Sequence, residues 1–326
     1  MLLPGFSKDF RGANRRVLRD EIRKAKKMTN GIIGVNIMVA LSDYEDHMSV
    51  AVEEGADLII SGAGLPIRIP EAIIRDKKDE NKTKFLPIVS SAKAAGLIFR
   101  YWAGHYDVIP DAVVVEGPMA GGHLGFRMAQ INDAEFTVEK IVPEVIESMK
   151  PFEQQFGREI PVIAAGGIYT GSDMLRLMEL GAKGVQIATR LVPTYECDAA
   201  MEFKQAYVNC KEEDIVLIDS PVGLPGRAIR NRFLDDVSAG KRHPVNCPWK
   251  CLKTCDYKKA PYCISMALIN AAKGKMKNGF VFAGHNAFRT TKIQSVKEVF
   301  RELIGEFLDA EVKRKLSPRL ITATSY

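Results

Sequence analysis

Three clusters in this 326-residue sequence bring together residue types that do chemistry. The first is Glu116-Gly117-Pro118-Met119-Ala120-Gly121-Gly122-His123-Leu124-Gly125. Gly121 and Gly122 carry no Cβ, so backbone there can lie close to a flat ligand ring. An imidazole such as His123, ordinarily of near-neutral pKa, can move a proton or donate a hydrogen bond. The second cluster is Ala164-Ala165-Gly166-Gly167-Ile168, followed about twenty residues on by Gly184-Val185-Gln186-Ile187-Ala188-Thr189-Arg190. Small residues leave N–H groups free to face phosphate oxygens, and Thr189 adds a hydroxyl. The third cluster is Cys247, Cys251, Cys255 and Cys263, four thiols within seventeen residues. Thiolates suit zinc or an iron–sulfur cluster, although the spacing is neither the ferredoxin run nor the zinc-knuckle pairing. Buried structural thiols and redox-active thiols are the other readings. Cys197 and Cys210 read as ordinary helix thiols.

These residues need rigid elements to position them. Short, nearly continuous apolar runs at Gly31–Met38, Leu58–Ser61, Phe85–Ser90, Ala112–Glu116, Pro161–Ala165 and Gly184–Ala188 predict strands buried on both faces, as in a parallel sheet. Amphipathic segments predict helices over Ala13–Lys27, Asp43–Glu54, Pro70–Lys77, Ser91–Ala103, Asp133–Phe156 and Ser172–Leu180. Such alternation is that of an α/β fold. The dinucleotide fingerprint of an open doubly wound sheet is absent, whereas glycine loops after the last two strands match the phosphate site of a TIM-type (β/α)8 barrel. If those strands are the seventh and eighth, only four precede them. The expectation is therefore a barrel lacking its first two strands, on the order of 40–50 residues.

Beyond Thr189 the pattern changes. A helix over Glu196–Lys211, an apolar run at Asp214–Asp219, a Pro- and Gly-marked loop at Ser220–Arg227, the cysteine segment, a helix over Ile264–Lys275, a short apolar run at Phe280–Ala283 and a helix over Ile293–Leu308 follow. They read as a smaller C-terminal lid. The expected division is residues 1–195 for the barrel, 196–292 for the lid and 293–326 for a closing helix and tail. Lesser candidates are Ser90, Ser91 and Lys93 after a strand, Ser91 equally as a helix cap, Arg227 and Arg230 as ligands of a carrier phosphate or only as surface pairs beside a glycine turn, and His285 at a strand end.

An apolar fraction of 46% and a charged fraction of 26% are ordinary for a globular chain. No apolar run reaches the roughly 18 residues of a membrane helix, and residues 1–23 lack the apolar centre of a signal peptide. A cytoplasmic enzyme with no membrane association is expected. The net charge of +6 is concentrated in part at 241–259, with Lys241, Arg242, Lys250, Lys253, Lys258 and Lys259 against Asp256. That stretch reads as solvated surface or as a landing site for an anionic partner. No nucleic-acid-binding pattern is present.

The motifs E-G-P-x-A-G-G-H-x-G, P-V-I-A-A-G-G-I, G-A-x-G-V-Q-x-x-T-R and T-x-E-C-D-A together resemble the nitronate monooxygenase family, formerly 2-nitropropane dioxygenases, from about Glu21 to Leu303. Flavin-dependent enoyl-ACP reductase II shares the pattern. The resemblance implies an FMN-containing barrel that oxidises alkyl nitronates with O2. It places Ala165, Gly166, Gly167, Ala188 and Thr189 at the FMN phosphate and Asn36, Met38, Gly121, Gly122 and Gln186 along the isoalloxazine or ribityl portion. His123 would be the catalytic base or hydrogen-bond donor. The family's Gly-Gly-Met turn does not precede Asn36 here, and Ala188 stands where glycine is common. The alternatives are an NAD(P)H-dependent enoyl-ACP reductase served by an acyl carrier protein, and a truncated barrel that binds no flavin. Exposed sheet edges would favour a homodimer.

Overall fold

Continuous apolar runs become parallel strands where both faces of the sheet are covered, here by helices on one side and by a cluster of strand side chains around Leu86, Val114 and Ala165 on the other. The computed structural model describes residues 9–71, 73–74, 83–241, 243, 246–247 and 249–323. Strands β1 (Gly34–Met38), β2 (Leu58–Gly62), β3 (Lys84–Val89), β4 (Val113–Glu116), β6 (Val162–Ala165) and β7 (Gly184–Gln186) form one parallel sheet in that order, β5 lying elsewhere. Consecutive strands are neighbours throughout: Asn36 faces Ile60, Ile88 faces Val114, and Ala164 faces Val185. The six strands expected from the sequence are the six observed, each within a few residues of the expected bounds. The sheet is open among the described residues, with β1 and β7 as its edges.

Helices Phe10–Met28, Tyr44–Glu53, Ala92–Tyr106, Val138–Phe156 and Gly171–Glu179 connect or flank these strands. Each shows why it starts or stops. Ser91 caps its helix by accepting from the Ala94 N–H at 3.2 Å, so capping is its role. Thr170 and Asp173 form a capping box. Helix Val138–Phe156 buries Val138, Ile141, Val142, Val145, Met149 and Phe152, a stripe at helical spacing. Phe99 meets Phe152 with ring centroids 5.4 Å apart, and the Trp102 indole N–H donates to the Pro66 carbonyl at 3.0 Å. The helix expected at 70–77 falls largely outside the described residues.

The C-terminal part contains a second, antiparallel sheet. Strands β8 (Ile215–Asp219), β9 (Pro225–Ile229) and β10 (Val281–Phe282) are joined by the two-residue strand β5 (Gly122–His123), which comes from the loop after β4. Residues 220–227, expected to be a loop throughout, begin β9 at Pro225. Proline is tolerated there because the first residue of a strand can forgo its N–H. Helices Met201–Asn209, Arg232–Ser238 and Ile264–Ala272 pack around this sheet. The long helix Val296–Ala323 returns to the first layer, where Gly171 admits it closely: a Cβ on Gly171 would lie 2.2 Å from the Leu303 carbonyl oxygen. Arg190 pairs with Glu302 of the same helix. No helix among the described residues is long and apolar enough to cross a membrane.

Phe99 is fully buried and Phe300 is 46% exposed. Replacing Phe99 with alanine should destabilise the chain by about 3–5 kcal/mol in denaturant titration. Phe300→Ala should shift it by less than about 0.5 kcal/mol. Equal effects would refute this packing.

Candidate cofactor and active site

The loops that follow β4, β6 and β7 meet at the carboxyl ends of those strands, where side chains and amides point away from the sheet. Together with the second sheet they enclose a cavity of about 460 Å³. One wall carries Glu116, Gly121, Gly122, Gly166, Gly167, Gln186, Ala188 and Thr189; Phe203, Tyr207, Leu268, Phe282 and Gly284 form the other. Of the residues singled out for a cofactor, Gly121, Gly122, Ala165, Gly166, Gly167, Gln186, Ala188 and Thr189 are therefore brought together. Asn36 and Met38 do not line this cavity. Asn36 lines a separate one of about 180 Å³ beside helix Phe10–Met28, which it shares with Cys251 and Ser265.

The glycines are required by geometry. Gly166 and Gly167 have φ of +89° and +82°, where side chains are strained. An added Cβ would lie 2.8 Å from the Gly117 carbonyl oxygen at Gly166, and 2.9 Å from Met119 Cβ at Gly167. At Gly121 it would lie 2.5 Å from the backbone of Ala283 and Gly284. Thr189 Oγ1 accepts from the Gly284 N–H at 3.3 Å, which leaves its own hydrogen for another acceptor. Asn286 Nδ2 donates to the Gly167 carbonyl at 2.7 Å. The result is a rigid cradle of small residues, amides and one hydroxyl. It fits a phosphate joined to a flat ring, which is the donor set FMN needs. Arg190 points elsewhere, towards the Tyr169 carbonyl and Glu302.

His123 sits at the cavity edge rather than among its lining residues. Its Nε2 is 2.7 Å from Ser220 Oγ, and its ring stands edge-on to Phe282 at 5.0 Å. Burial lowers its pKa to about 4, so the imidazole is neutral near pH 7. The near-neutral titration expected from the sequence is thus corrected: the side chain is better suited to hydrogen bonding than to carrying charge. Glu116, at the end of β4, takes over the neutral range. Its carboxyl lines the cavity and desolvation raises its pKa to about 7. Sequence reasoning quoted Glu116 in a motif and assigned it no role. The available signal was a carboxylate closing an otherwise apolar strand at the end where barrel chemistry occurs.

Arg227 is corrected as well, while Arg230 takes the surface-pair reading. Arg227 is buried and donates through Nη1 to the carbonyls of Pro118 and Ala120, the latter at 2.7 Å, so it organises the glycine loop instead of meeting an anion. Arg230 forms a surface pair with Asp235 at 2.8 Å. The backbone N–H of His285 donates to the Met119 carbonyl at 3.0 Å, and His285 is not among the residues that line the cavity. Cys247, Cys251, Cys255 and Cys263 are free thiols that line one small cavity. Among the described residues no group of three or more His, Cys, Asp or Glu side chains is placed to hold a metal ion. Nothing in this arrangement supports a single zinc ion, which at about 2.3 Å from each sulfur needs thiolates about 3.8 Å apart.

Comparison with known proteins extends this geometry. Residues 11–306 match the sequence profile of nitronate monooxygenase. A probable nitronate monooxygenase of Staphylococcus saprophyticus is 30% identical over 200 residues, 60% of this chain and 50% of that protein. One from Staphylococcus aureus is 28% identical over 252 residues, 69% of this chain and 68% of that protein. The chain thus spans about half the length of the first of these relatives. FabK from Thermotoga maritima superposes with a TM-score of 0.72 at 27% identity, covering 92% of this chain and 84% of that one. Nitroalkane oxidase from Streptomyces ansochromogenes gives 0.70 at 19% identity, covering 92% and 87%, a likeness of fold. With an α/β fold of that type and a profile match over most of its length, the chain belongs to the nitronate monooxygenase family.

Proposed function

We propose that this chain is an FMN-dependent oxidoreductase that oxidises alkyl nitronates with O2. The observation that carries the reading is the convergence of Gly166, Gly167, Ala188 and Thr189 with Gly121 and Gly122 on a single cavity. Amides of the first group and the Thr189 hydroxyl would hold the phosphate, and the Gly121–Gly122 backbone would lie along the ring. Bound there, the flavin supplies the electron transfer from nitronate and the reaction with O2. The remaining work belongs to the protein. Phe203, Tyr207, Leu268 and Phe282 close the cavity with apolar surface and exclude water. Tyr207 is fixed by donating its hydroxyl to the Phe282 carbonyl at 2.7 Å. Neutral His123, held by Ser220, offers a hydrogen bond at the edge, and Glu116 holds or releases a proton near pH 7.

A second reading is an NAD(P)H-dependent enoyl-ACP reductase with an acyl carrier protein as partner. It is supported by the superposition on FabK. The lysines of 241–259 support it less. Lys241 is paired with Asp236 and Lys259 with Asp256, and Lys253 donates to the Val39 carbonyl, while Arg242 lies outside the described residues. Oxygen uptake with nitronate, set against NAD(P)H oxidation with an enoyl thioester, separates the two.

The purified chain should show flavin absorption, released as FMN by acid. Gly166→Val should remove it by filling the cradle. A colourless wild-type preparation that takes up no added FMN would refute flavin binding and favour a barrel without this activity.

In the nitronate reaction kcat/KM should carry a limb near pH 7 that disappears in Glu116→Gln. His123→Phe should lower kcat by about 100-fold and leave that limb in place. A limb that survives in Glu116→Gln assigns the titration to another group.

Stability gives an independent check on His123. Its folded pKa lies below the unfolded value of 6.5, so the unfolded chain binds the extra proton first as pH falls. The associated stability is present above about pH 6.5 and is lost towards pH 4. His123→Gln should flatten this part of the Tm–pH curve, and an unchanged slope would contradict the neutral, desolvated imidazole.

A further inference from the structure

Four thiols remain outside the chemistry above. Cys247, Cys251, Cys255 and Cys263 lie on the long connection between helices Arg232–Ser238 and Ile264–Ala272, and all four line the same cavity with Leu252 and Tyr262. They are close enough to act on one another electrostatically: Cys251 is affected by each of the other three. Among its described residues this connection has no helix or regular strand, which is uncommon at such a length in a folded domain and needs something to order it.

Part of the ordering comes from docking. Leu252 and Tyr262 are buried, 3% and 2% exposed. The Ser42 N–H donates to the Cys251 carbonyl at 3.1 Å, and the Lys253 N–H donates to the Ala40 carbonyl at 2.9 Å. His243 pairs with Tyr262 as an isolated bridge. These contacts hold the backbone against the carboxyl end of β1 and turn the four sulfur-bearing side chains towards a shared interior. Leu252, Tyr257, Ala260, Tyr262 and Ile264 line that interior together with the thiols.

We propose that Cys247, Cys251, Cys255 and Cys263 are the ligands of an iron–sulfur cluster. A single ion is disfavoured because no three such side chains among the described residues are placed to hold one. In a cluster the four thiolates are divided among two or four irons, so they do not all crowd around one ion.

The surroundings suit an anionic cluster. Cys263 is the N-cap of helix Ile264–Ala272, whose positive end faces the cavity. Ser265 Oγ is 3.4 Å from Cys251 Sγ, and exposed Lys250 also lines the cavity. The same helix presents Leu268, Ile269 and Ala272 to the large cavity. At 1.5 Å per residue, Cys263 and Leu268 are about 8 Å apart along the axis. A cluster would therefore lie one short helix away from the proposed flavin site.

The test is anaerobic reconstitution of the full chain with ferrous iron and sulfide. Expected are a brown protein with about two to four iron and as many acid-labile sulfide per chain, and an electron paramagnetic resonance signal after reduction with dithionite. Cys251→Ala and Cys255→Ala should drop iron to the level of untreated protein, while Cys197→Ala keeps it. X-ray absorption of the reconstituted wild-type chain should show iron with sulfur-only coordination, a readout that does not depend on the variants folding. Absence of sulfide, uptake of one zinc in its place, iron with oxygen or nitrogen ligands, or equal iron loss in Cys197→Ala would each overturn the proposal. Flavin content, measured separately after acid release, keeps this outcome distinct from the test of FMN binding.

Discussion

A buried cation holds the two sheets of this molecule together. Arg227, in the middle of β9, is 4% exposed, and among the described residues no carboxylate pairs with it. Burial lowers its pKa to about 10. Its compensation is the pair of carbonyls at Pro118 and Ala120. A desolvated guanidinium is costly unless its donors are used, so these carbonyls are pinned where the charge needs them. The consequence reaches every part of the site. Pinning Pro118 and Ala120 fixes Gly121 against Ala283 and Gly284, sets Gly122 opposite Arg227 in the β5–β9 pairing, and brings His123 to Ser220. Gly166 in turn fits against Gly117 and Ala120. One charge thus sets the shape of a loop on which both walls of the cavity rest.

How much of this the sequence discloses depends on how local the cause is. The parallel strands are legible because burial on both faces makes them apolar from end to end, and Ser91 and Thr170 mark helix starts by chemistry confined to one turn. Gly166-Gly167 and Ala188-Thr189 are legible because their spacing from a strand end is fixed by the repeat. The antiparallel sheet is not legible: β5 has two residues and β9 opens with Pro225-Gly226, a pair that reads as a turn until partners distant in sequence supply hydrogen bonds. Arg227 reads as a surface arginine for the same reason. Nothing near it in the chain shows that it is buried.

The titrating groups show a related limit. His123 was singled out by residue type and Glu116 was passed over by residue type, yet their environments exchange the expected behaviour. Each lies at the end of the same strand-loop unit. Desolvation pushes an acid up and a base down, so Glu116 moves into the neutral range while His123 leaves it. Asn36 was placed at the flavin by motif position. In the fold it lines a separate cavity at the β1 edge of the sheet, and β7 is the opposite edge.

The lining of the large cavity spans residues 116 to 284. During synthesis on a ribosome, the β4, β6 and β7 loops emerge long before Phe282, Ala283 and Gly284, which complete the wall and brace Gly121. Contacts over such separations are slow to form. Until then the nascent chain exposes the glycine cradle without its apolar cover. Enclosure of the cavity is therefore a late event, set by the release of the C-terminal third from the exit tunnel. A chain arrested before residue 284 would have the glycine loops and no enclosed pocket.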